Sequence, residues 1–167
     1  MVHPQPAAHA ALAKLSADRT VAQAPEEVYA FLAQLENHWR LSDRYLRLEQ
    51  LSADRRGGRI VIGTPFGLRR TARTRVSATS RPAGLSGAAD VGRSTTARVH
   101  WIIEPRDAGA LVGLEATVIA AGPLDKLLLA AGGRWWLRRR FASVLALLAD
   151  ALDHPVVVAP RLSVASS

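Results

Sequence analysis

The chain has 167 residues, an apolar fraction of 49% and a formal net charge of +8, which suits one globular domain with a real core and excludes wholesale disorder. It contains no cysteine, which removes disulfide frameworks, thiolate metal sites and cysteine nucleophiles from consideration. Nearly all the positive charge is arginine, with Lys14 and Lys126 the only lysines; such a balance suits polyanions, anionic surfaces or acidic ligands, but charge alone decides neither fold nor function.

Residues 1–13 read as a flexible Pro/Ala tail, residues 14–153 as one domain and residues 154–167 as a second tail. The first strand is expected over Leu15–Gln23, with Leu15, Ala17 and Val21 on one face. Pro25 then opens a helix, PEEVYAFLAQL. Glu26 and Glu27 lie in its first turn, where the helix dipole favours negative charge, and Val28, Phe31, Leu32 and Leu35 follow the i, i+3, i+4, i+7 rule. The polar segment after it, ENHWRLSDRY, reads as a short helix or loop.

Strands follow in series: Tyr45–Ala53, a turn at Arg55–Gly58, Arg59–Pro65, a bend at Phe66–Leu68, and Arg70–Ser80. The last alternates Ala72, Thr74, Val76 and Ala78 against Thr71, Arg73, Arg75 and Ser77. Pro82-Ala83-Gly84 turns the chain into the weakest strand, Leu85–Arg93. Thr95–Glu104 puts Ala97, Val99, Trp101 and Ile103 on one face. Asp107-Ala108-Gly109 is a hairpin signal. Leu111–Ala121 closes the series, with Val112, Leu114, Ala116, Val118 and Ala120 inward. A long periodic segment, Gly122 to Asp153, ends the domain. Pro123 occupies the first helical position and His154-Pro155 stops the helix, so a continuous rod of roughly 46 Å is expected. Its apolar stripe is Leu124, Leu127, Ala131, Trp135, Phe141, Ala142, Leu145, Leu148, Ala149 and Leu152.

Sequential strands joined by short turns predict an antiparallel meander. One face is apolar and the other carries arginines, so one side needs a cover. The long helix supplies it. This order, with the opening Ala24-Pro25-Glu26-Glu27-Val28-Tyr29-Ala30-Phe31-Leu32 and a C-terminal helix carrying Gly132-Gly133-Arg134 at its centre, resembles the SRPBCC superfamily of START-like, Bet v 1-like and polyketide cyclase/dehydrase proteins. The resemblance spans roughly Lys14 to Leu152. It implies an α+β helix-grip fold: a curved antiparallel sheet of about seven strands wrapped around a long C-terminal helix and enclosing a ligand cavity. It does not fix function, because such a fold hosts carriers, receptors, enzymes and co-chaperones.

The residues give their own reason for a cavity. Inward positions on the later strands are small: Ala72, Ala78, Gly87, Ala89, Ala97, Ala116 and Ala120. Small residues beneath a helix either admit it closely or leave a void, and both outcomes stay open here. The residues expected at a ligand are Trp39, Phe66, Thr74, Trp101, Arg134, Trp135, Arg138 and Phe141. Arg134 and Arg138 fall within the apolar stripe. Either they face the cavity and hold an acidic ligand group, or Gly132-Gly133 kinks the helix, or the side chains snorkel to water. His38, Asp43 and Tyr45, with the two arginines, are acid–base and charge-stabilising candidates, although surface polar residues in a loop are the commoner case. Trp136, beside Arg139 and Arg140, is expected to point outward.

The scattered histidines lack ligand spacing, so no metal is expected, and no cofactor-binding motif appears. Arg73, Arg75, Arg98 and His100 mark a solvated outer face rather than a nucleic-acid site, because few aromatics stand beside them to stack on bases. No charged segment followed by an apolar run opens the chain, and no stretch reaches the roughly 18 apolar residues of a membrane span, so a cytoplasmic protein without stable membrane insertion is expected. The functional expectation is binding of one polyketide-, terpenoid- or lipid-like molecule, with cofactor-free cyclase/dehydratase-type turnover as an extension. The alternative is a co-chaperone or subunit-interaction module. The resemblance adds a homodimer to the expected assemblies.

Overall fold

Alternation of apolar and polar residues builds the sheet. A computed structural model describes residues 11–64 and 67–155; most of both tails, and Phe66, lie outside the described residues. Seven strands form one antiparallel sheet: β1 (Ala13–Val21), β2 (Leu46–Leu51), β3 (Gly57–Gly63), β4 (Arg69–Ser80), β5 (Gly84–Val91), β6 (Thr95–Arg106) and β7 (Gly109–Ala120). Their spatial order is β1-β7-β6-β5-β4-β3-β2. Six strands run as the expected meander, and β1 closes on β7, pairing Leu15 with Ala116 and Val21 with Ala110. The Asp107-Ala108 turn hands the chain to Gly109 at φ 119°. A side chain there would meet the Val21 carbonyl, so only glycine lets β1 end against this hairpin.

Among the described residues, the helical pieces beside the sheet include α1 (Pro25–Ala33), a 3-10 turn (Leu35–Leu41), α2 (Pro123–Leu128) and α3 (Arg134–Asp153). The Ala24 N–H donates to Glu27 Oε2 at 3.2 Å, which satisfies one orphan donor at the start of α1. Val28 and Leu32 of α1 are fully buried. The core joins them to Leu15, Val112, Leu145 and Leu148, all at 2% exposure or less. Burying each leucine contributes about 2 kcal/mol.

The continuous rod is the main expectation the structure corrects. Leu129–Gly133 is an irregular turn: Ala131 sits at ψ 29° and Gly132 at φ 95°. Left-handed backbone favours glycine, and Gly132 interrupts the helix there. Only α3 is long, about 30 Å. Its buried face is Phe141, Val144, Leu145, Leu148 and Ala151, so Ala142, expected inward, is exposed. Leu124, Leu127 and Trp135 are exposed too. Smaller corrections concern strand ends. Gly57 and Gly58 belong to β3 rather than to a turn, and each lies so close to a neighbouring strand's carbonyl, on Thr74 and Gln50 respectively, that a side chain would clash. Ala78 and Ala120, expected inward, are exposed near strand ends.

Candidate functional site

Between the sheet's inner face and the broken helix lies a cavity of about 580 Å³, within the usual range for small-molecule sites. The sheet contributes Ile60, Ile62, Val99, Trp101 and Leu114, the small residues Gly87, Ala89, Ala97 and Ala116, and half-buried Thr74. The roof is the irregular turn with Leu128, Leu129, Trp136 and Phe141. The void is therefore where small inward residues meet a helix that turns aside. Farther along, Val144, Leu145 and Leu148 fill the space against β1 and β7.

Two polar groupings stand out in the lining. At one, His38 lines the cavity edge-on to Trp101, ring centroids 6.2 Å apart. Its Nε2 lies 2.9 Å from the Leu32 carbonyl. A carbonyl only accepts, so Nε2 carries the proton and Nδ1 holds the lone pair in the neutral ring. Burial pushes the His38 pKa down, against a smaller upward pull from the Leu32 carbonyl, so the ring is neutral at pH 7. At the other pole, Arg70 Nη2 donates to Asp125 Oδ2 at 2.8 Å. The Thr95 hydroxyl donates to the same oxygen, and the Gly122 N–H donates to Thr95 Oγ1 at 3.0 Å. This network pins the start of α2 to β4 and β6.

The sequence candidates divide sharply. Thr74, Trp101, Phe141 and His38 line the cavity, and Trp135, 64% exposed, touches it at the rim. Trp39 is 49% exposed and does not line it. Phe66 lies outside the described residues. Arg134 and Arg138 are exposed and absent from the lining; Arg134 donates to the Leu12 carbonyl at 3.3 Å, which is the snorkelling alternative. Trp136, expected outward, joins Trp135 in the cavity lining. Trp136 packs edge-on to Tyr45 at 5.9 Å and lines the cavity, whereas Arg139 stacks over Trp135 at 5.2 Å outside.

Asp43 and Tyr45 are engaged in structure. Asp43 Oδ1 accepts from the N–H groups of Tyr45 and Leu46 at 2.7 and 2.6 Å, and its Oδ2 accepts from Arg140 at 3.3 Å. The Arg140 guanidinium also lies over the Tyr45 ring at 4.9 Å. These contacts fasten the start of β2 to α3 rather than aim a base at the cavity.

The Arg70–Asp125 pole escaped the sequence reading. Its signal was available in part, since Arg70 shares parity with Ala72 and Thr74 and so points inward. The partner 55 residues away was not visible. Among the described residues, no three of His, Cys, Asp and Glu gather as metal ligands, and no helix is long and apolar enough to cross a membrane.

No protein-family model and no curated protein matches the chain. Solved structures do. TTHA0849 from Thermus thermophilus superposes with a TM-score of 0.66 at 18% identity, over 84% of this chain and 97% of that one. StfQ, a di-domain ARO/CYC from the steffimycin biosynthetic pathway, gives 0.61 at 17% identity, over 84% of this chain and 50% of its own. DynU16, from the dynemicin biosynthetic locus, gives 0.54 at 13% identity, over 84% and 47%. The chain thus spans about half the length of the last two. At these identities the likeness shows the helix-grip fold alone.

Proposed function

We propose that this chain is an SRPBCC-type protein of the cytoplasm that binds one lipophilic small molecule, polyketide-, terpenoid- or lipid-like, between its sheet and its broken helix. The observation that carries this reading is the 580 Å³ cavity with an almost wholly apolar wall and two small polar poles. The fold shared with StfQ and DynU16 is compatible with work on a biosynthetic intermediate. If there is turnover, it is of the cofactor-free cyclase/dehydratase type. The cavity would hold a flexible chain in a reactive shape, and His38 Nδ1 would move the proton. Native mass spectrometry before and after solvent extraction tests binding. The expected result is a discrete mass lost on extraction; a bare protein that also takes up no lipophilic probe would refute it.

A second reading, a co-chaperone or subunit-interaction module, draws on the exposed Leu124, Leu127 and Trp135. Sedimentation velocity separates the two: concentration-dependent association abolished by Leu127→Ser would favour the second.

A further inference from the structure

Among the described residues, the charged side chains that line the cavity cancel. Arg75, which borders it, directs a largely exposed guanidinium to Asp54 at 2.8 Å. His38 is neutral, as above. That leaves Arg70 and Asp125, joined at 2.8 Å and both mostly buried. An anionic ligand group would therefore enter an apolar space with no free counter-charge, and it would lie beside the Asp125 carboxylate. Burying an unpaired charge is costly.

The pole nonetheless has hydrogen-bonding capacity left. The Arg70 guanidinium has five N–H donors and gives one of its nitrogens to Asp125. Asp125 receives both of its side-chain bonds on Oδ2, so Oδ1 accepts nothing among the described residues. Thr64 lines the same cavity two residues beyond Ile62, the cross-strand partner of Arg70. Its hydroxyl is buried without a partner among the described residues. Unsatisfied buried polar atoms are rare and point to a missing partner. A donor, an acceptor and a hydroxyl around one end of an apolar cavity match a group that both donates and accepts.

We infer that the ligand is uncharged and presents a hydroxyl, whether alcohol, enol or phenol, to Arg70, Asp125 and Thr64, so that carboxylates and phosphates are disfavoured. This rests on the cavity-binding reading and narrows it, replacing the acidic ligand that Arg134 and Arg138 had suggested.

Three probes of one shape test it by titration calorimetry at pH 7: 2-naphthol, 2-naphthoate and naphthalene. The wild type should bind 2-naphthol about tenfold more tightly than naphthalene, although a bare apolar cavity would favour the hydrocarbon. It should bind 2-naphthoate weakest. Asp125→Asn uncovers the charge of Arg70 and should strengthen 2-naphthoate binding about tenfold. Naphthalene binding as tightly as 2-naphthol, 2-naphthoate binding tightest, or a folded Asp125→Asn protein with no gain for 2-naphthoate would each overturn the inference while leaving the cavity reading intact. Failure of all three probes to bind would overturn both. Should Asp125→Asn not fold, the wild-type order decides.

Discussion

The two ends of the C-terminal segment lie on the same sheet and behave oppositely. From Leu145 onward, α3 buries Leu145, Leu148 and Ala151, none of which lines the cavity. From Pro123 to Trp136 the segment is broken, exposes Leu124, Leu127 and Trp135, and roofs a void. Val21 and Val112 belong to the core at the first end; Gly87, Ala89 and Ala97 line the cavity at the second. The lesson is that one amphipathic segment can close a solid core at one end and roof a cavity at the other.

The comparison breaks first at its leucines. Leu148→Ala, at a fully buried position, should cost about 4 kcal/mol in chemical denaturation, while Leu127→Ala, at 65% exposure, should stay within about 0.5 kcal/mol. Equal costs would mean that both ends are packed. Next comes Arg70→Leu, which strands the buried Asp125 carboxylate and should cost about 3 kcal/mol; an exposed pair would lose under about 1 kcal/mol.

Gly132→Ala tests the break itself, and its sign is the readout. A side chain at Gly132 meets nothing within 4 Å, so only its φ of 95° opposes alanine. The broken helix predicts a loss of about 1–2 kcal/mol; a continuous helix predicts a gain of about 1 kcal/mol.

The smallest effect concerns pH. Burial holds His38 below its ordinary pKa of 6.5, so the unfolded chain binds that proton more readily. Its contribution to stability is whole above about pH 6.5 and is lost as the pH falls below that value, down to the depressed folded pKa. Wild type should lose more stability between about pH 7.5 and 5 than His38→Gln does; identical slopes would place His38 in water.

The meander was legible because its strands alternate and its turns carry strong signals, such as Asp107-Ala108-Gly109. The opening helix was legible from its proline, its glutamates and its apolar spacing. What periodicity could not show was a break inside a periodic segment. Gly132-Gly133 marked the place, but a glycine pair inside a helix pattern leaves open whether the helix bends. Nor could local pattern show the Arg70–Asp125 pairing, which exists only once the sheet brings β4 beneath α2. The engagement of Asp43 with the backbone of Tyr45 and Leu46 likewise belongs to three-dimensional contact.

The most direct test of the central claim, a real void rather than a collapsed core, is the melting temperature of Ala89→Phe. Ala89 is buried on β5, lines the cavity and belongs to neither packed cluster. A void predicts that the ring is accommodated: the melting temperature holds or rises, while uptake of a lipophilic probe is lost. A collapsed core predicts overpacking by about 1–3 kcal/mol and a fall of roughly 2–4 °C for each kcal/mol, and that result would contradict the account.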